Sequence, residues 1–201
     1  APMYVVIAVI LTSIILALTM DSFLIPLFFM LSVGMAIVYN MGTNFIQGEI
    51  SFITEALAAV LQLAVTIDYS IFLWHSYKEE KEKHPGDNKE AMAVAIGKTI
   101  TSVVSSSITT VAGFLALCFM SYELGMDMGI VMAKGVVIGV ICCITVLPSM
   151  ILVFDKALEK TMHKDLVPSL EKPSKFIIKH HAAFIVLFIV VLIPAVYGQI
   201  N

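Results

Sequence analysis

The strongest constraint on this chain is the length of its unbroken apolar runs. A bilayer core of roughly 30 Å takes about 20 apolar residues at about 1.5 Å of helical rise each. The sequence holds six such runs, near residues 3 to 20, 23 to 39, 52 to 76, 99 to 120, 126 to 154 and 180 to 199. Too little chain remains between them for a soluble domain, so the pattern predicts an all-α membrane protein of six transmembrane helices. A composition 59% hydrophobic and 13% charged, with a mean hydropathy of +0.97, lies outside the soluble globular range and agrees. The net charge of -3 gives no basic footprint for nucleic acid. Cys118, Cys142 and Cys143 all sit in apolar runs, where a thiol behaves as a small hydrophobe. No cofactor is expected, and His75, His84, His163, His180 and His181 border two loops without the convergent spacing of a metal site.

The connections set the expected topology. Asp21 and Ser22 mark a tight turn between the first two runs, and Pro26 falls where a missing amide proton matters least, so these runs form a helical hairpin. All 12 cations are lysine. Lys78, Lys81, Lys83, Lys89 and Lys98 flank the third connection, and Lys156, Lys160, Lys164, Lys172, Lys175 and Lys179 flank the fifth, which places both in the cytoplasm. "NMGTNFIQGEI" and "SYELGMD" carry acids but no cation and face outward. Both chain ends are then extracytoplasmic. The opening "APMYVV" has no basic region like that of a signal peptide, so something upstream is expected to carry it across.

Two cytoplasmic segments differ in character. "HSYKEEKEKHPGDNKEAMAVAIGK" reads as a solvated hairpin that breaks at Pro85 and Gly86 and restarts near Asn88 as a short amphipathic helix. In "FDKALEKTMHKDLVPSLEKPSKF", Phe154, Leu158, Met162 and Leu166 recur every four residues beside lysines, the pattern of an interfacial amphipathic linker helix.

Polar and small residues within the runs show where helices meet, because lipid supplies no hydrophobic drive for their association. "GVVIG", Gly135 to Gly139, is a small-xxx-small pattern. Ser102, Ser106, Thr109 and Gly113 fall on one helical face and are expected to look into the bundle, either as interhelical hydrogen-bonding groups or as a hydrated stripe beside a proton site. Asp68 is the costliest residue, since a charged aspartate at a helix centre opposes insertion by at least about 2.5 to 3.5 kcal/mol. It lies about 24 Å along its helix from Phe52, too deep for a short side chain to reach water. An acid there is a functional residue by default, the alternative being a permanently protonated or hydrogen-bonded aspartate with only a packing role. Tyr69 is a hydrogen-bonding neighbour about 100° around the helix. Lys134 lies about 10 Å in from the outer end of the fifth run, too far in depth to neutralise Asp68 directly. It is expected to reach outward or to meet Glu123, Asp127 or a group outside this chain.

"TIDYSIFLWHSYKEE", "SSSITTVAGFLAL" and "ELGMDMGIVMAKGVVIGVICCITVLPSMILVFD", in that order and spacing, resemble the transmembrane core of the MMPL-type exporters of the resistance-nodulation-division (RND) superfamily. The resemblance implies that residues 1–154 are the second to sixth helices of the first transmembrane half, 155–179 a cytoplasmic linker, and 180–201 the first helix of the second half. It implies that Asp68 and Tyr69 are half of a proton relay, completed by a matching pair in the second half, with Ser102, Ser106 and Thr109 in support. The protein would then be a secondary active transporter of the plasma membrane rather than an enzyme. Its partners would be protons, membrane lipids, a lipidic or amphiphilic substrate and extracytoplasmic domains of the same protein. A sterol-sensing or Patched-like receptor uses the same core and is the alternative. An intramembrane aspartyl protease would need a second buried aspartate, and Asp21, Asp127 and Asp155 all sit at span ends.

Overall fold

The computed structural model describes residues 2–46, 50–120, 123–162 and 171–200. The chain divides into two compact units, residues 1–164 and 165–201. In the first, α1 (Pro2–Thr19) and α2 (Leu24–Gly42) form the expected hairpin, and a 3-10 turn (Thr43–Ile46) follows α2. Then come α3 (Phe52–Lys83), α4 (Asn88–Leu117), α5 (Glu123–Val153) and the short α6 (Asp155–Thr161). The second unit holds α7 (Glu171–Lys179) and α8 (His181–Ile200).

Local chemistry sets these boundaries. Ser51 caps α3 by accepting the Ile53 amide at 3.3 Å, and Asp87 caps α4 by accepting the Glu90 amide at 3.0 Å. Between them Gly86 takes φ +89°, the left-handed conformation that reverses the chain after Pro85. The restart near Asn88 is as expected, but the helix is not short. It runs on without a break into the fourth span, because nothing in "NKEAMAVAIGKTITS" interrupts hydrogen bonding.

Five helices are long and apolar enough to cross a membrane: Leu24–Phe45, Phe52–Lys83, Asn88–Leu117, Leu124–Val153 and His181–Gly198. The first expected span contains the shorter apolar stretch Val5–Thr19. The protein is thus an all-helical membrane bundle with five candidate spans among the described residues, rather than six.

In the first unit α5 packs against α2, α3 and α4, and glycine makes this closeness feasible. A Cβ at Gly129 would lie 2.6 Å from the Phe114 carbonyl oxygen and 2.7 Å from Cys118 Sγ. One at Gly135 would lie 2.6 Å from Asn40 Nδ2. The core beneath is apolar, with Phe29, Val33, Leu73, Cys143, Leu147 and Ile151 fully enclosed. Large apolar side chains such as Ile10, Leu11, Ile14, Ile15 and Leu18 lie on the outside, as a lipid-facing surface requires.

The linker departs from expectation. α6 stops at Thr161, and Met162 is extended and bridges Ser22 by its backbone. Leu158 is buried in the core instead of facing an interface, because Asp155 at the start of α6 is drawn inward by hydrogen bonds. A continuous helix with Phe154, Leu158, Met162 and Leu166 on one face is therefore not formed; Leu166 lies outside the described residues. In the second unit the Phe176 ring stacks beside His180 at 4.6 Å and meets Phe184 edge-on, carrying α7 closely into α8.

Candidate functional site

The site is built where α3 and α4 run side by side after their hairpin. On α4, Ala91, Ala95, Thr99, Val103 and Ser107 recur every four residues, are buried and form the packing stripe. Ser102 and Ser106 each precede a member of that stripe, so they turn about 100° away from it, to the rim of the helix pair. Asp68, Tyr69 and Phe72 of α3 meet them there, and with Val103 they line an open cleft of about 240 Å³. The cleft thus gathers both members of the expected relay pair and two of the three supporting hydroxyls.

The expected stripe is displaced in one respect. Ser102, Ser106 and Thr109 do not look into the bundle but lie exposed on the surface of the unit, the two serines one residue and Thr109 two residues out of step with the buried stripe. Thr109 is absent from the cleft lining, and its hydroxyl donates to the Ser106 carbonyl at 2.7 Å. Asp68 and Tyr69 also part company. Asp68 is exposed, whereas Tyr69 is 7% exposed and its hydroxyl is without a hydrogen-bond partner among the described residues. Adjacent helical positions diverge by about 100°, so Asp68 stands on the open face while Tyr69 borders the same cleft from a mostly buried position.

Lys134 lies elsewhere. Its ammonium donates to Asn44 Oδ1 at 2.5 Å, beyond the end of α2, which agrees with the depth argument separating it from Asp68. Asn44 was not among the expected partners, because a neutral amide in the 3-10 turn carries no sequence signal for a half-buried cation.

Sequence reasoning also missed a second cluster, at the end of the unit where the lysine-rich connections meet. Asp155 Oδ1 accepts from the Tyr77 hydroxyl at 3.0 Å and Lys81 Nζ at 2.7 Å, and Oδ2 accepts from Asn88 Nδ2 at 2.6 Å. Lys78 pairs with Asp21, and the Ser22 and Thr161 hydroxyls share a hydrogen bond of 2.7 Å. Glu80, whose side chain is only 3% exposed, binds Lys83 at 2.9 Å and Lys98 at 2.6 Å. The supposedly solvated hairpin is therefore tied to the α1–α2 turn and to α6, and across itself by Glu80 and Lys98. The Tyr77 and Lys81 spacing of four, placing both on one helical face, is the signal that could have revealed it.

Asp68 thus lies deep in a span beside the Ser102 and Ser106 side chains, open to one side and with no cationic partner among the described residues. Comparison with known proteins agrees with a membrane protein. The chain is 30% identical to ActII-3 of Streptomyces coelicolor over 147 residues, covering 71% of this chain and 20% of that protein. It is 24% identical to the membrane protein YdfJ of Bacillus subtilis over 208 aligned positions, covering 98% of this chain and 28% of that one. It thus spans between a fifth and somewhat over a quarter of the length of these relatives. Residues 2–175 match the MMPL family, and on that match the chain belongs to the MMPL family.

Proposed function

We propose that this chain is part of the transmembrane core of a proton-motive-force-driven exporter of lipidic or amphiphilic substrates, in which Asp68 and Tyr69 form half of a proton relay. The MMPL family is a family of transporters, and the observation that carries the reading is Asp68 itself. It stands exposed in the α3–α4 cleft with no hydrogen-bond or ion-pair partner among the described residues. Bare in lipid, such an acid would oppose insertion by at least about 2.5 to 3.5 kcal/mol, so the face it occupies calls for polar cover. A second transmembrane half bearing a matching acid and tyrosine supplies that cover. Protonation of the acids then shifts the two halves against each other, and the motion is passed to extracytoplasmic domains that handle the cargo. In this reading residues 1–154 belong to the first half, 155–179 link the halves, and 180–201 open the second. The protein sits in the plasma membrane with both ends of this segment extracytoplasmic. In the whole protein Asp68→Asn is expected to abolish pH-gradient-driven efflux while the protein remains folded; efflux at the wild-type rate overturns the relay.

One observation favours a second reading, a sterol-sensing or Patched-like lipid receptor. An apolar groove of about 440 Å³ runs between α4 and α5, lined by residues such as Val104, Ile108, Val111, Leu115, Val137 and Ile141. That volume falls within the usual range for small-molecule sites. Sterol binding that persists in Asp68→Asn, with no pH-gradient-driven efflux by the wild type, would select the receptor.

A further inference from the structure

Where α3 leaves the apolar layer, a cleft of about 230 Å³ opens between it and α6. Counted at about 1.5 Å per residue from Phe52, Trp74 lies about 33 Å along α3, just past the roughly 30 Å of hydrocarbon that a span crosses. That is the depth of lipid headgroups, where tryptophan is favoured because its ring is apolar and its N–H polar. Trp74 and Leu158, both buried, and the exposed Met162 supply the apolar lining of the cleft. The rest of the lining carries charge of both signs, Lys78 and Lys81 against Glu82, Asp155 and Glu159.

The contacts within the protein use only part of this chemistry. Asp155 is occupied by Tyr77, Lys81 and Asn88. Lys81 gives a second hydrogen bond to Glu159 Oε1 at 2.9 Å, which leaves the third N–H of its ammonium. Glu159 is 55% exposed, and Glu82 is exposed with no hydrogen-bond or ion-pair partner among the described residues. The indole N–H of Trp74 is the stronger signal. Trp74 is only 3% exposed, and its Nε1 has no acceptor among the described residues, a costly state for a buried donor unless something else accepts from it.

We propose that this cleft binds the headgroup of a zwitterionic phospholipid that carries a primary ammonium. Its phosphodiester accepts from Trp74 and Lys81, its ammonium donates to Glu82 and Glu159, and the start of an acyl chain lies against Leu158 and Met162. Acids outnumber lysines on the lining, so a headgroup that brings a cation fits better than one of net negative charge. The cation is one that donates hydrogen bonds, because a quaternary ammonium needs an open aromatic face. Neither ring here offers one: the Lys81 ammonium already lies 5.7 Å from the Tyr77 ring centroid, and Trp74 is buried.

The test titrates the whole protein, stripped of lipid in detergent, with phosphatidylethanolamine, phosphatidylcholine or phosphatidylglycerol of identical acyl chains, and counts bound lipid by native mass spectrometry. The first phosphatidylethanolamine is expected to bind about tenfold more tightly than either of the others, the selectivity that one charge-assisted hydrogen bond supplies. Glu82→Gln combined with Glu159→Gln should bring it down to the phosphatidylcholine level, and Glu82→Gln alone gives the same reading at smaller amplitude should the double variant not fold. Trp74→Phe, which keeps an apolar ring and deletes the N–H, should also weaken phosphatidylethanolamine binding while the lipid-free melting temperature stays level or rises; a tryptophan that only packs would leave binding unchanged. Equal affinity for phosphatidylethanolamine and phosphatidylcholine overturns the proposal, as does a preference that survives in the double variant, which puts the lipid elsewhere. Tightest binding of phosphatidylglycerol overturns it in favour of a basic surface for anionic lipid. Equal competition by phosphoethanolamine without acyl chains shows that the ligand is not a lipid.

Discussion

Asp68 and Asp155 are two carboxylates of one small bundle, treated in opposite ways. Asp155 is 7% exposed and receives three donors, Tyr77, Lys81 and Asn88, from α3 and the first turn of α4. Its role is complete within this chain: it fastens α6 to the hairpin that precedes α4. Asp68 lies on an open face, and among the described residues nothing donates to it or pairs with it. A fully satisfied buried acid holds helices together, and removing it leaves its donors stranded. An acid that is deep in a span yet unsatisfied contributes nothing to the fold, which is the ground of the relay proposed for it.

That contrast predicts stability effects of graded size, each read as a shift in the thermal unfolding midpoint of the detergent-solubilised protein. Asp155→Ala should have the largest, about 3 kcal/mol, because it leaves Lys81 beside Glu159 alone and strands the Tyr77 hydroxyl and the Asn88 amide. An unchanged midpoint would mean that the cluster is surface decoration. Gly129→Ala follows at about 1–3 kcal/mol, since the added methyl meets the backbone oxygen of Phe114 and α4 must move away from α5. Gln62→Leu should destabilise by about 1–2 kcal/mol, removing the acceptor for Asn40 and the donor for the Gly135 carbonyl. At the far end, Asp68→Asn should leave the midpoint where it is. A large loss there would make Asp68 a structural residue and erase its difference from Asp155.

Much of this architecture is legible in the sequence because it follows from local rules. The spans come from run length, the first hairpin from Asp21, Ser22 and Pro26, and the α3–α4 reversal from Pro85 and Gly86. The expensive aspartate is visible from depth alone. Less legible is whatever depends on partners distant in the chain. Ser102 and Ser106 repeat every four residues, but so do Thr99, Val103 and Ser107, and a helical wheel cannot say which of two adjacent stripes is packed. Contact with α3 decides it. Likewise Phe154, Leu158 and Met162 carry a valid interfacial period, and what overrides it is Asp155, whose donors lie 67 to 78 residues away. Lys134 is another such case, settled by Asn44, 90 residues before it. Gly135 and Gly139 were readable as a contact stripe, but that they lie against Gln62 and Thr66 was not.

The most direct test of the account is pH-gradient-driven efflux by the whole protein carrying Asp68→Asn, measured beside Asp155→Asn at matched expression. The account predicts that Asp68→Asn melts like the wild type and does not pump, while Asp155→Asn melts lower and pumps in proportion to the protein that stays folded. Wild-type efflux from Asp68→Asn would contradict it.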